Sequence, residues 1–249
     1  VTGATTGPGR EFVRQITRLY KNLDEIWVVA RRAERLEELK EKLPVYIRVF
    51  GGDMEEDLIY KQVLNRLENQ NPDVRMLVNA AGFGKMGTIE EIAAEDKKLQ
   101  LRMIDLNCRG LTEMTLTCLP YMSKGSRIIN VASAAAFCPQ SGFAVYAATK
   151  SYVLSFSKGL GAEVRKKGII VTAVCPGPVD TEFFDVAGTN NSLMKKKVLS
   201  DAPSVVRKAL IDARNRKSMS VYGIPMKAAQ AAAKLLPDHM ILAAMEKLG

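Results

Sequence analysis

Six short runs rich in valine and isoleucine, at 26–30, 45–50, 76–79, 127–131, 169–174 and 219–222, recur along the chain with amphipathic stretches between them at 32–43, 56–69, 96–119 and 145–167. Strands that are apolar throughout must bury both faces, and a helix between two of them joins the strands in parallel. With right-handed crossovers the pattern predicts an α/β fold, a doubly wound parallel sheet in three layers that takes ligands at the carboxyl ends of its strands. The 249 residues show no break in composition, so a single domain over 1–249 is expected. Val1 leads straight into a glycine loop, and the first strand is therefore expected to be cut short. Residues 182–217 leave the rhythm, reading either as a cover of loop and short helices on the substrate side or as a plain surface insertion. Residues 225–249 are rich in Ala, Leu and Met, with Pro237 splitting them into two helices; packing on the body, on a second subunit or on a membrane surface all fit.

Composition removes several kinds of chemistry. No apolar run is long enough for a transmembrane segment and the opening residues lack a secretion signal, so a cytoplasmic protein is expected. The cysteines at 108, 118, 138 and 175 lack paired short spacing, and reduced thiols with no metal site are expected. His239 is the sole histidine, which leaves no multi-histidine metal centre and only one base for a Ser-His-Asp hydrolase. The net charge of +9 rests on clusters such as Arg165-Lys166-Lys167 that read as solvated faces, and no nucleic-acid partner is expected.

The loop Thr2-Gly3-Ala4-Thr5-Thr6-Gly7-Pro8-Gly9 opens an amphipathic helix near Arg10. Glycines let the backbone come close to a pyrophosphate, and the helix start offers unpaired N–H groups, as in sheets of Rossmann type. The next strand ends at Ala30-Arg31-Arg32. An acid there would hold a ribose hydroxyl, whereas two arginines suit the 2′-phosphate of NADP; the other reading is that they merely begin a charged helix.

Tyr146 and Lys150 stand four apart on an expected helix, on one face. An ordinary phenol titrates near pH ~10, and a neighbouring ammonium and a cationic nicotinamide are both expected to favour its ionised form. Thirteen residues before the tyrosine, the run 128–131 ends at Ala132-Ser133, which brings a hydroxyl to the ligand-binding edge of the sheet. Phe137, Phe143, Val145, Phe183 and Phe184 surround this region in sequence and read either as the wall for a bulky apolar ligand or as core.

With these residues in order, the chain resembles the short-chain dehydrogenase/reductase family over nearly its whole length. Residues 2–9 fit the family's TGxxxGxG loop and Asn79-Ala80-Ala81-Gly82 its NAG-type motif. Asn107 matches its helix asparagine, Ser133 its serine, Tyr146 and Lys150 its YxxxK pair, and Pro176-Gly177 with Val179 and Thr181 its PGxVxT segment. Pro8 departs from the pattern, standing where the family usually has an aliphatic residue, and removes one N–H from the loop. The resemblance implies catalysis by Asn107, Ser133, Tyr146 and Lys150, with Asn107 anchoring a relay water. It implies cofactor contacts from Gly3, Thr5, Thr6, Gly7, Gly9, Arg31, Arg32, Asp53, Asn79, Ala80, Gly82, Tyr146, Lys150, Pro176, Gly177, Val179 and Thr181. It further implies NADP as cofactor, with NADPH preferred over NADH, and a homodimer or homotetramer.

The function expected is hydride transfer between nicotinamide and a secondary alcohol or ketone, with lipid-like or steroid-like small molecules as first substrates. The alternatives are an NADP-binding sensor or scaffold without turnover and a nucleotide-sugar epimerase. The complete tyrosine set argues against the former, and the glycine spacing against the latter.

Overall fold

The computed structural model describes residues 1–41, 43–179 and 200–248. Strand β1 (Glu25–Ala30) pairs in parallel with β2 (Tyr46–Gly51). A second parallel run follows the order β3 (Met76–Asn79), β4 (Arg127–Val131), β5 (Ile170–Val174) and β6 (Met219–Ser220). Residues 1–3 close the gap between the two runs. The Gly3 N–H donates to the Val29 carbonyl and the Thr2 N–H to the Val78 carbonyl, both at 2.9 Å. The chain thus winds outward from residues 1–3 through β1 to β2, then crosses back to β3 and winds the other way. Between residues 1–3 and β3 lies the point where strand order reverses, and a crevice opens there.

Alternation along the strands sends neighbours to opposite layers. Val28, Val78 and Ile129 join one core, packed under α1 (Gly7–Leu19), α2 (Ala33–Glu41) and α8 (Ala202–Arg214). Val29, Leu77 and Ile128 join the other, under α3 (Asp57–Gln70), α6 (Leu111–Cys118) and α7 (Ala144–Glu163). The protein is therefore a three-layer α/β fold with parallel strands covered on both sides.

The sequence reading differs from the structure in three places. The stretch 96–119 is not one helix: α5 (Leu99–Ile104) passes through a π-helical turn, Asp105–Gly110, into α6, and a short α4 (Ile89–Glu95), capped reciprocally by Thr88 and Glu91, precedes it. Within 182–217, the part 182–199 lies outside the described residues. The remainder contains α8, whose Val205, Val206, Ala209, Leu210 and Ala213 are buried in the core shared with α1, so this part belongs to the body rather than to a cover. Its apolar spacing is helical, but polar flanks mask it. Third, the last strand is shorter than 219–222.

Buried Asp212, paired with Lys208 one turn back on the same helix, fastens α8 to the sheet through the Ser220 hydroxyl at 2.8 Å and through Lys217, just before β6, at 3.0 Å. After β6, α9 (Ile224–Leu235) and α10 (Asp238–Leu248) divide at Pro237. Among the described residues no helix is long and apolar enough to cross a membrane, no cluster of metal-binding side chains occurs, and the four cysteines are unpaired.

Candidate active site

The crevice at the reversal point measures about 840 Å³. Its floor is the carboxyl edge of the sheet, where the loops after residues 1–3, β1, β2, β3, β4 and β5 converge.

At its middle, the glycine loop is shaped by close approach. Gly3 has φ +65°, and a Cβ on it would lie 2.8 Å from the backbone of Ala81. A Cβ on Gly9 would sit 2.2 Å from the Gly3 carbonyl oxygen. Only glycine lets the start of α1 press this tightly on the loop. No side chain caps α1 at Thr6, so its first-turn amides are available to an anion; Pro8 falls in that turn, where helical geometry asks for no N–H. Thr5, Thr6, Gly7 and Pro8 all face the crevice.

Towards one end stand Arg31, Arg32 and Asp53. Arg31 Nη1 lies 3.9 Å from Asp53 Oδ2, and the arginine is more than half exposed at 57%, so it has room to turn towards a ligand anion. The Asp53 Oδ1 atom accepts from the Glu55 N–H at 3.0 Å.

Towards the other end the four catalytic candidates come together. Ser133, extended at the end of β4, accepts from the Ala135 N–H at 3.1 Å and shares a hydrogen bond with the Tyr146 phenol. The first turn of α7 carries Tyr146, whose ring stacks on Phe143 with centroids 4.2 Å apart. One turn on, Lys150 donates to the Val131 carbonyl at 3.0 Å, its Nζ lying 5.6 Å from the tyrosine ring centroid. Burial pulls this ammonium down to about 8 and pushes the phenol up to about 12, with only the Ser133 hydrogen bond working against the latter. Without the cationic nicotinamide, the lysine alone does not bring the phenol below its ordinary value. Desolvation outweighs the ammonium, whose proton points at a backbone carbonyl, and the phenol stays protonated.

Asn107 lies in the π turn, a feature frequent at functional sites. Its Nδ2 donates to the Phe83 carbonyl at 2.9 Å and to Thr149 Oγ1 at 3.0 Å, and its Oδ1 accepts from the Phe83 N–H at 3.1 Å. These three bonds clamp the loop after β3 to α7. Gly82 lies between, where a Cβ would meet Asn107 Oδ1 at 2.7 Å and Lys150 Nζ at 3.4 Å.

Asn79 does not face the crevice. It donates to Thr115 and to Asn130, both at 2.9 Å, and sits 2% exposed beneath the sheet. The crevice wall is instead made by Ala80, Ala81 and Gly82, so direct contact through the Asn79 side chain is corrected to support of the strand end. Pro176, Gly177 and Val179 line the opposite wall, the Pro176 carbonyl accepting from the Ala134 N–H at 2.8 Å. Thr181, Phe183 and Phe184 lie outside the described residues. Phe137 and Phe143 line the crevice, whereas Val145 packs behind Tyr146.

Several contributors escaped sequence reasoning. The Thr2 hydroxyl accepts from the N–H groups of Ala80 and Ala81, both at 3.1 Å, and so fixes the two sides of the reversal point. Thr149 donates to the Tyr146 carbonyl at 2.8 Å while receiving Asn107, a link that only the folded geometry reveals. Met226, Ala229 and Ala233 of α9 and Leu236 just after it, with Met240, Ile241 and Ala244 of α10, form an apolar wall over the catalytic end. Their helical spacing is visible in the sequence, but not what they face.

Comparison with known proteins agrees with this geometry. Residues 1–191 match the family model described as short chain dehydrogenase. The chain is 34% identical over 189 residues to serine 3-dehydrogenase from Agrobacterium fabrum, covering 74% of this chain and 72% of that protein. With the NADP-dependent 3-hydroxy acid dehydrogenase YdfG of Salmonella typhi it shares 35% identity over 190 residues, covering 75% and 74%. The solved short-chain dehydrogenase from Sphingobium yanoikuyae in complex with NADPH superposes with a TM-score of 0.77 at 26% identity, covering 95% of each chain. The chain belongs to the short-chain dehydrogenase family, a family of oxidoreductases.

Proposed function

We propose that this short-chain dehydrogenase uses NADPH to reduce a bulky, apolar ketone to a secondary alcohol, the whole chain acting as one cofactor-binding domain in the cytoplasm. The observation that carries the substrate reading is the apolar wall of α9 and α10 beside the Ser133–Tyr146 pair. The relatives named for serine and 3-hydroxy acids are reminders that other members take acids. Here, among the described lining residues, the catalytic end offers no arginine, and its one lysine, Lys150, is held on a backbone carbonyl. Among those described residues a carboxylate finds no free cation to pair with, which supports an uncharged ketone as the substrate.

A nicotinamide dinucleotide suits the rest of the crevice: the glycine cradle that any Cβ would fill, the uncapped start of α1, and the arginines after β1. Gly3, Thr5, Thr6, Gly7 and Gly9 would hold the pyrophosphate, Arg31 and Arg32 the 2′-phosphate, and Ala80, Gly82, Pro176, Gly177 and Val179 the ribose and nicotinamide. The bound cofactor supplies the hydride, leaving position and protons to the protein. Ser133 hydrogen-bonds the carbonyl oxygen, and Tyr146, kept protonated by burial, gives its proton to that oxygen. Asn107 holds the tyrosine helix against the loop after β3 and Lys150 holds it against the end of β4, and a water anchored at Asn107 would pass replacement protons to Lys150. Exposed Leu101, Ile104 and Leu116 on the α5–α6 run, beside Tyr152 on α7, support assembly into dimers or tetramers.

The test is a substrate panel followed by NADPH oxidation. Bulky aryl or alicyclic ketones should turn over with kcat/KM well above that for serine or 3-hydroxy acids, and NADPH should bind more tightly than NADH. Changing Arg31 and Arg32 together to Ala should weaken NADPH about a hundredfold, the loss of two charge-assisted contacts, and leave NADH unchanged. Preference for the acids, or a nucleotide preference that survives the arginine change, contradicts the proposal.

A further inference from the structure

Resting on the reading of the crevice as a dinucleotide site, we infer that Arg102 closes its purine end, laying a guanidinium held by Glu55 against the adenine ring. With the nicotinamide beside Tyr146 and the phosphates at the start of α1, the purine must run past Arg31 and Arg32. The crevice ends there against Asp53, Met54, Leu99, Arg102 and Leu106. Buried Met54 and Leu106 offer apolar contacts for a flat ring, and Asp53 an acceptor for an exocyclic amine.

Arg102 is placed there by its neighbours. Leu99, Arg102 and Leu106 follow one another at three and four residues and share a stripe of the helix that faces the crevice. The Arg102 Nε donates to Glu55 Oε2 at 2.9 Å. Glu55 is itself fixed at both backbone ends, its N–H given to Asp53 Oδ1 and its carbonyl accepting from Arg109. Its other carboxylate oxygen is buried with no hydrogen-bond partner, so the glutamate's charge is spent on Arg102 alone. The two Nη groups of Arg102 have no hydrogen-bond partner among the described residues. An anchored, planar cation with a free outer edge is suited to stack on an aromatic face, which a lysine would not do equally well. A merely structural ion pair would not need to border the crevice.

The experiment measures dissociation constants by fluorescence titration for three reduced nucleotides: NADPH, NADH and nicotinamide mononucleotide, which lacks the adenosine half. Arg102→Met keeps the apolar stem and removes the plane. It should weaken NADPH and NADH alike by about tenfold and leave the mononucleotide unchanged. Glu55→Gln, which keeps the shape but loosens the anchor, should move both dinucleotides in the same direction by less. Loss confined to NADPH would put Arg102 on the 2′-phosphate instead, and equal loss for the mononucleotide would mean a general disturbance; each overturns the assignment, as does no change at all. A wild-type protein that binds neither dinucleotide would sink the dinucleotide reading itself, an outcome visible before any variant is made.

Discussion

Replacing Tyr146 with Phe should lower kcat for ketone reduction roughly a thousandfold, the usual worth of a positioned proton donor, while NADPH still binds. The ring stacked on Phe143 at 4.2 Å is kept, so the helix start and the crevice keep their shape. What disappears is the hydroxyl shared with Ser133. Ser133→Ala should cost less, because the donor survives it. Titration of the same centre sets the pH dependence. With Lys150 lowered to about 8 by burial and the phenol raised to about 12, the first group to lose its proton as pH rises is the lysine. The value of kcat/KM, which reports the free enzyme, should therefore be flat at neutral pH and fall as pH passes through about 8. An unchanged rate in the phenylalanine variant would remove Tyr146 from the chemistry.

Gly9→Ala should be the most damaging single methyl group in the loop. Its Cβ would lie 2.2 Å from the Gly3 carbonyl oxygen and 3.2 Å from that of Thr2, backbone atoms of two residues whose N–H groups are bonded to β1 and β3. Neither can swing aside as a flexible side chain would, so the start of α1 must lift from the loop. Overpacking of this kind costs ~3 kcal/mol, which corresponds to about a hundredfold in NADPH affinity or to an equal loss of folding stability. Gly159→Ala provides the control: nothing lies within 4 Å of its added Cβ, and it sits exposed inside α7. There the change should be neutral or stabilise by roughly 0.5–1 kcal/mol. Titration and urea unfolding of both variants separate the two cases, and equal behaviour of the pair would show that the loop is not tightly packed.

Much of this arrangement was legible before any coordinates. Strands 76–79 and 127–131 fall where the apolar runs place them, and the tyrosine and lysine follow from helical spacing alone. What sequence could not carry was direction and burial. The motif around Asn79 invited a cofactor contact, yet strand alternation, taken seriously, puts Asn79 on the face of Leu77, under α6 and away from the crevice. The π turn around Asn107 has no sequence signature in this chain, and without it the grip of Asn107 on Phe83 and Thr149 is invisible. Helix α8 was hidden because Pro203 and the polar residues before it look like loop, although Val205, Val206, Ala209 and Leu210 repeat at helical spacing. The burial that pushes the Tyr146 phenol up was equally invisible, because a list of sequence neighbours contains no desolvation, the larger influence on a buried phenol.

The central claim is that a hydride passes from the nicotinamide to the carbonyl carbon of an apolar ketone beside Tyr146. Its most direct test uses NADPH carrying deuterium at the nicotinamide C4 position, with a bulky ketone as acceptor and the product read by mass and NMR spectrometry. The account predicts one deuterium on the carbinol carbon, one enantiomer, and one NADP formed per alcohol. Tight NADPH binding with no deuterium delivered to any ketone or aldehyde would contradict it and leave a nucleotide-binding protein without turnover.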